Sequence, residues 1–90
     1  MGFWGKKEQL AALFFSGVYR GGNRQDLEGA LRAAISSVDL PGKVEKVDGK
    51  VLQDLGISLK IDFRTKDSAT ALQATSLLRR SLEKHNFDLD

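Results

Sequence analysis

The segment ISLKIDFRT, residues 57–65, alternates apolar and polar side chains along its whole length. Successive side chains of a β-strand point to opposite faces of its sheet, so this alternation predicts a strand with one apolar and one polar face. The apolar face must pack against other elements, and the polar face meets water. The apolar positions are Ile57, Leu59, Ile61 and Phe63, and the polar positions are Ser58, Lys60, Asp62 and Arg64.

An earlier segment, LAALFFSGVYR at residues 10–20, is apolar at both odd and even positions, which is typical of a central strand buried on both faces. Its adjacent Phe14 and Phe15 must point to opposite faces. We expect the odd positions Leu13, Phe15, Gly17 and Tyr19 to face the core, and Phe14, Ser16, Val18 and Arg20 to face outward. The opposite arrangement, with Phe14 in the core, stays open.

Two helices are predicted from apolar residues at helical spacing. The first covers about residues 24–38, with Asn23 and Asp26 as a capping box and Pro41 and Gly42 beyond its end. The second begins at a cap on Asp67 or Ser68 and ends at Asn86. The inner positions are Leu27, Leu31, Ala34, Ile35 and Val38 in the first helix, and Ala71, Ala74, Leu78 and Leu82 in the second.

Residues 43–55, between the first helix and the alternating strand, allow two interpretations. Asp48-Gly49 is a tight-turn pair that could fold this stretch into its own hairpin. We favour one bulged or split strand at the edge of the sheet, with Asp48-Gly49 as the bulge and the sequence DLG turning the chain. The last residues, FDLD, could add a short fourth strand.

The predicted order is therefore strand, helix, strand, strand, helix and a short strand. Two split β-α-β units of this kind form a ferredoxin-like α+β plait, an antiparallel sheet with both helices on one face. The 90 residues suffice for one domain, which we place at residues 10–90 after an N-terminal segment at residues 1–9. The second sheet face is then open.

Composition excludes several classes of function. The chain has no cysteine, which removes disulfides, thiolate metal sites and cysteine nucleophiles and fits a cytoplasmic protein. Fourteen basic against 12 acidic residues give a net charge of +2, which permits nucleic-acid binding without demanding it. No segment is long and apolar enough to span a membrane, although Phe3, Trp4, Lys6 and Lys7 could touch a membrane surface, or Trp4 could pack across the sheet edge.

Two stretches, LFFSGVYRGGNRQDLEGAL and GKVEKVDGKVLQDLGISLKIDFRTKDSATAL, resemble the RNA-recognition-motif family. That resemblance implies a sheet face that stacks bases on aromatic side chains. Aligning Phe63 with the last aromatic of the family's third strand places Ser58 and Lys60 at the stacking positions, so only Phe14 supplies a stacking ring. The segment LKIDFRTKDSATALQATSLLRRSL is also similar to the small dimerising subunit of KEOPS, a tRNA-modifying complex, which implies an accessory-subunit role.

The outward residues of the first and third strands form the main candidate site. Phe14 would stack a base, while cations meet phosphates and Ser16 adds a hydroxyl. The alternative is a solvated polar face with a cross-strand ion pair. The candidate residues are Phe14, Ser16, Arg20, Lys60 and Arg64.

Two further sites are candidates. Gly21, Gly22 and Arg24 precede a helix and could bind an anion through backbone amides, or they form an ordinary strand-to-helix turn. Leu72 and Leu77 lie outside the inner stripe of the second helix and could contact a partner helix or a second copy, or they line the margin of a broad apolar stripe.

No catalytic constellation is indicated, since His85 is the single histidine and the acidic residues are scattered. We expect neither a cofactor nor a metal site. The sequence therefore favours a non-catalytic binding module for RNA or single-stranded nucleic acid. The alternative is a protein-interaction module, either a homodimer or an inhibitor of a larger complex.

Overall fold

The computed structural model describes residues 8–90. The predictions for Phe3, Trp4, Lys6 and Lys7 concern residues outside this range. A short 3-10 turn at Gln53–Leu55 joins the second and third strands. The elements in chain order are β1 (Gln9–Tyr19), α1 (Arg24–Ser36), β2 (Lys43–Val51), β3 (Gly56–Thr65), α2 (Ser68–Lys84) and β4 (Phe87–Leu89).

The four strands form one antiparallel sheet in the order β2-β3-β1-β4. β1 and β3 pair over ten residues without a register shift, from Gln9 opposite Thr65 to Val18 opposite Gly56. β4 pairs with only the last part of β1, at Gly17 to Tyr19. The predicted α+β class is confirmed, as are two helices and the short fourth strand.

One core lies between the sheet and the two helices, and it uses the odd-numbered positions of β1 and β3. Phe63, at the centre of this core, is fully buried. α1 covers the β2 and β3 side, where Leu31 lies beside Gly49 and Leu59, while α2 packs against β1, β3 and β4. The buried apolar residues are Leu13, Phe15, Tyr19, Leu27, Ala34, Ile57, Leu59, Ile61, Phe63, Ala74, Leu78, Leu82 and Phe87.

Both helices begin where the sequence predicts. The Asn23 side chain accepts a hydrogen bond from the Asp26 amide, and the Asp26 carboxylate accepts one from the Asn23 amide, completing a capping box. At α2 the cap is Asp67, whose carboxylate accepts hydrogen bonds from the hydroxyl and the amide of Thr70. These two bonds favour the ionised form and lower the pKa of Asp67.

The structure corrects two details of the strands. Residues 43–51 form a single edge strand, as favoured, but its bulge lies between Val44 and Lys46. Asp48 and Gly49 pair in regular register with Lys60 and Leu59, so they form neither a hairpin turn nor the bulge. β1 is also not buried on both faces, because its even-numbered side chains are largely exposed.

The closeness of β4 to β1 depends on Gly17. A Cβ at this position would overlap the backbone of Asp88 and Leu89. Gly29, in the middle of α1, has nothing within 4 Å of the position of such an atom. Gly17 and Gly29 therefore give a crowded and an open position at which the same alanine substitution can be compared.

We predict that Gly17→Ala destabilises the protein by about 1 to 3 kcal/mol, since the extra methyl forces β4 away from β1. Gly29→Ala should stabilise it by about 0.5 to 1 kcal/mol, because alanine is the better helix former. Urea unfolding followed by circular dichroism measures both changes. If both substitutions changed the free energy of unfolding equally, the close packing of β4 on β1 would be contradicted.

Candidate functional site

The even-numbered side chains of β1 and β3 form what we call the open face of the sheet. Phe14 is 69% exposed on this face, while its neighbour Phe15 is 3% exposed on the core side. The expected orientation of β1 is therefore confirmed. No helix within residues 8–90 packs on the open face.

The five residues predicted as a nucleic-acid site belong to this face, but carboxylates accompany them. The Arg20 guanidinium lies 3.1 Å from the Asp88 carboxylate, and that of Arg64 lies 3.3 Å from Glu45. The Lys60 ammonium lies 4.0 Å from Asp62. In addition, the Ser16 hydroxyl donates to the Asp90 carboxylate at 2.8 Å. The face thus carries mixed charge, which favours phosphate less than a uniformly positive face does.

Phe14 is also the single exposed aromatic side chain among residues 8–90. It borders a shallow depression of about 160 Å³, whose other lining residues are Asp48, Lys50, Ser58 and Lys60. One ring beside two lysines offers a place for one flat group. A stacking platform for successive bases needs more rings than this.

The loop before α1 already places a carboxylate of the protein at its cap. The Asp26 carboxylate accepts a hydrogen bond from the Asn23 amide at 3.2 Å, and the Asn23 side chain accepts one from the Asp26 amide at 3.0 Å. The same carboxylate lies against Gly22. Gly21 lies against Tyr19 and Asn86 instead. The negative charge of Asp26 opposes a second anion at this loop, and the anion site at Gly21, Gly22 and Arg24 stays a prediction.

Leu72 and Leu77 do not share a surface. Leu72 is 70% exposed, whereas Leu77 is half-buried and lines a cavity of about 270 Å³ against Ser37 and Val38, past the end of α1. Five residues along a helix correspond to about 140° of rotation. Leu72 and Leu77 therefore cannot contact the same partner helix.

A different feature of β1 emerges from its backbone hydrogen bonds. The Arg20 amide donates to the Asn86 carbonyl at 2.8 Å, and the Ser16 carbonyl accepts from the Asp90 amide at 2.9 Å. In a regular antiparallel strand the direction of these groups alternates. Even-numbered residues of β1 therefore direct their N–H and C=O groups toward the β4 side, and odd-numbered residues pair with β3.

β4 ends before it reaches the first half of β1. The backbone groups of Leu10, Ala12 and Phe14 point toward the β4 side, and no strand within residues 8–90 pairs with them there. We call these three residues the free edge. Leu10 is 55% exposed and Phe14 69% exposed, so apolar side chains accompany the unpaired backbone groups.

One flank of α2 lies along the β4 side of β1. Arg79 donates to the Asp90 main-chain oxygen at 3.2 Å, which places this flank at the end of β4. Thr75 and Leu72 lie on the same flank, one and two helical turns before Arg79. The start of α2 follows Thr65, which pairs with Gln9, so these two residues lie toward the Gln9 end of β1. Leu72, Thr75 and Arg79 are named the α2 flank.

A cavity marks the place where β4 stops. Its volume is about 350 Å³, and Phe14, Ser16, Arg79 and Asp90 contribute to its lining. Phe14 of the free edge and Arg79 of the α2 flank both border this cavity. We call the space beside the free edge, the cavity and the α2 flank the groove.

The other edge of the sheet is β2, and it differs from the free edge. β2 carries Lys43, Lys46 and Lys50, and it has a bulge. Lysines and bulges are the features with which edge strands resist pairing with another strand. The free edge of β1 has neither.

Sequence reasoning identified Phe14 and Leu72 as exposed residues but missed the free edge that joins them. The relevant signal is the length of two strands. β1 covers 11 residues, whereas β4, the strand beside its far side, covers three. The order of the strands was needed to see that these two segments are neighbours.

The described residues contain no group of three or more His, Asp or Glu side chains arranged to hold a metal ion. Neither helix is long and apolar enough to cross a bilayer. The Nδ1 atom of His85 lies 2.8 Å from the Ser81 carbonyl oxygen, where it acts as a donor that ties the end of α2.

Comparison with family models, with curated protein sequences and with solved structures finds no match for this chain.

We predict that the amides of Leu10, Ala12 and Phe14 exchange with solvent about a hundredfold or more faster than those of Ala11, Leu13 and Phe15, which pair with β3. Hydrogen exchange followed by NMR in dilute protein measures the six amides individually. Equal protection of both sets in the monomer would mean that the edge is already filled and would contradict this geometry.

Proposed function

We propose that this chain is a non-catalytic protein-interaction module, built as a ferredoxin-like plait, that binds an extended segment of a protein partner along the free edge of β1. The observation that carries the proposal is the free edge itself. Three residues with exposed apolar or small side chains have no strand partner for their backbone groups in the part of the chain that the structure describes. Such groups gain hydrogen bonds when a partner strand is added.

The topology supports the fold part of the proposal. β1 and β2 run parallel with β3 between them, and β3 and β4 run parallel with β1 between them. A helix links the members of each parallel pair. Two interleaved split β-α-β units have this arrangement.

The groove defines the chemistry of the partner segment. Its backbone would pair with the free edge, and alternate side chains would lie beside Leu10 and Phe14 on the open face. The intervening side chains would meet Leu72 and Thr75 of the α2 flank. An extended segment with apolar residues on both faces therefore fits, and a helix does not.

We predict that random peptides displayed on phage and selected on this protein include sequences with runs of apolar residues that bind the free edge. Ala12→Pro should weaken their binding about tenfold or more, because the substitution removes one donor and puts a ring into the groove. The Ala12 amide does not pair with β3, so proline there costs no bond within the sheet. Titration by fluorescence anisotropy measures the affinities.

Leu10→Lys gives a second test that leaves the backbone unchanged, and Leu52→Lys is its control. Leu52 is 52% exposed, close to the 55% of Leu10, and it lies next to the β2 edge. We expect Leu10→Lys to weaken peptide binding and Leu52→Lys to leave it unchanged. If no peptide is enriched, or if the selected peptides bind Ala12→Pro and wild type equally, the proposed function is wrong.

A second candidate function is contact with RNA or single-stranded nucleic acid through the open face. The observation that favours it is the depression in which Phe14 lies beside Lys50 and Lys60. Phe14 would stack on one base while the lysines meet phosphates. The carboxylates of Asp48 and Asp62 on the same face work against this binding, which is why it stands second.

For this candidate we predict weak binding of a fluorescent single-stranded RNA, detectable at low salt and lost as salt rises. Phe14→Ala and Lys60→Ala should each reduce it about fivefold to tenfold, while Leu52→Lys should not. Anisotropy at two salt concentrations checks this. Absence of binding at low salt, or equal affinity of all variants, would exclude the candidate.

A further inference from the structure

We propose that the cavity between the end of α1 and the last turns of α2 binds a small phosphate monoester. Basic side chains of α2 would hold the phosphate, and apolar side chains would cover the organic part. The cavity has a volume of about 270 Å³, close to the lower end of the range for small-molecule sites, roughly 300 to 1,000 Å³. It lies apart from the free edge, so this site is additional to the proposed function.

The lining of this cavity includes three basic side chains, those of Arg80, Lys84 and His85, and no acidic one. Arg80 and Lys84 are four residues apart and therefore project from the same side of α2. Within residues 8–90 neither lies within 4.0 Å of a carboxylate, whereas Arg20 and Arg64 each do. A phosphate group placed between the two cations would gain charge-assisted hydrogen bonds from both.

The cavities on the sheet side of the molecule differ in their charge. The cavity where β4 stops includes Asp90 in its lining, and the depression on the open face includes Asp48. A third cavity, at the start of β4, includes Glu83 and Asp88. Since a carboxylate repels an anion, the cavity beside Arg80 is the one of these four whose lining favours phosphate.

Helix ends carry carbonyl oxygens that disfavour an anion, but donors of the protein occupy those near this cavity. The hydroxyl of buried Ser81 donates to the Ala34 carbonyl at 2.6 Å. The Ser37 amide donates to the Ala33 carbonyl at 3.0 Å, and Nδ1 of His85 donates to the Ser81 carbonyl at 2.8 Å. These hydrogen bonds reduce the repulsion and leave the two exposed cations of α2 available to an external anion.

The apolar part of the lining consists of Val38 and Leu77, both half-buried. An organic group attached to the phosphate would remove their remaining surface from water, which is favourable. Inorganic phosphate leaves that surface exposed. A monoester with an apolar group should therefore bind more tightly than inorganic phosphate does.

Titration of the isotope-labelled chain with phenyl phosphate, followed by NMR at an ionic strength held constant with chloride, tests the proposal. The amides of Ser37, Ser81 and Lys84 should shift and saturate, with a dissociation constant of ~1 mM. Inorganic phosphate should shift the same amides and bind about threefold or more weakly, because it does not cover the apolar lining.

Arg80→Gln and Lys84→Gln should each weaken binding of phenyl phosphate about fivefold or more, because each removes a charge-assisted hydrogen bond. Both side chains are exposed, so these substitutions leave the core intact. Lys46→Gln is the matched control. It removes the same charge from an exposed residue that pairs with Asp62 in the sheet and lies away from α2, and it should leave the affinity unchanged.

Absence of saturable shifts with either compound up to ~20 mM would overturn the site. If Lys46→Gln weakened binding as much as Arg80→Gln does, the anion would be responding to net charge alone, and the placement in this cavity would be wrong. Equal affinities for phenyl phosphate and inorganic phosphate would overturn the role of Val38 and Leu77. None of these results bears on peptide binding at the free edge, because Leu77 and the α2 flank residue Leu72 lie about 140° apart around α2.

Discussion

The difference in length between β1 and β4 determines how much of the β4 side of β1 is paired. β1 has 11 residues and β4 has three, yet they are neighbours. Backbone groups inside a sheet normally find partners on both sides. Here β1 finds them from Gln9 to Val18 on the β3 side. On the other side, β4 is the strand within residues 8–90 that pairs with it, and only near its end. The groove, the exposed apolar side chains beside it and the bare α2 flank all follow from that mismatch.

Much of the fold could be predicted from local patterns, because local patterns reflect one element at a time. The alternation in residues 57–65 gave β3 and its faces, and the cap residues Asn23 and Asp67 gave the helix starts. The bulge was misplaced for the same reason. Asp48-Gly49 is a strong turn pair in isolation, but pairing with β3 holds both residues in regular register. Long-range pairing overrode the local preference.

The candidate site was harder to predict, because it depends on which segments become neighbours. Phe14 and Leu72 could each be identified as exposed from their periodicity, yet they are 58 residues apart in sequence, and only the strand order relates them to one edge. The charges depend on the strand order in the same way. The sequence left open whether the cations of this face meet phosphates or form cross-strand ion pairs. In the structure Asp88 and Glu45 come from other strands and lie within 3.3 Å of Arg20 and Arg64. Pairing of this kind weakens a case for phosphate binding that rested on counting basic residues.

The two-residue period of β1 separates core-facing side chains from exposed ones within a single strand. Its odd positions hold core residues such as Leu13 and Phe15, and their backbone groups bond to β3. Its even positions carry the exposed side chains, and the backbone groups of the first three of these point into the groove. A substitution at Leu10, Ala12 or Phe14 therefore changes the edge at little cost to the core, whereas the same substitution one residue later damages the fold. Apolar residues at exposed even positions contribute little to the stability of the isolated chain, and their surface is available for burial against the partner strand that we propose.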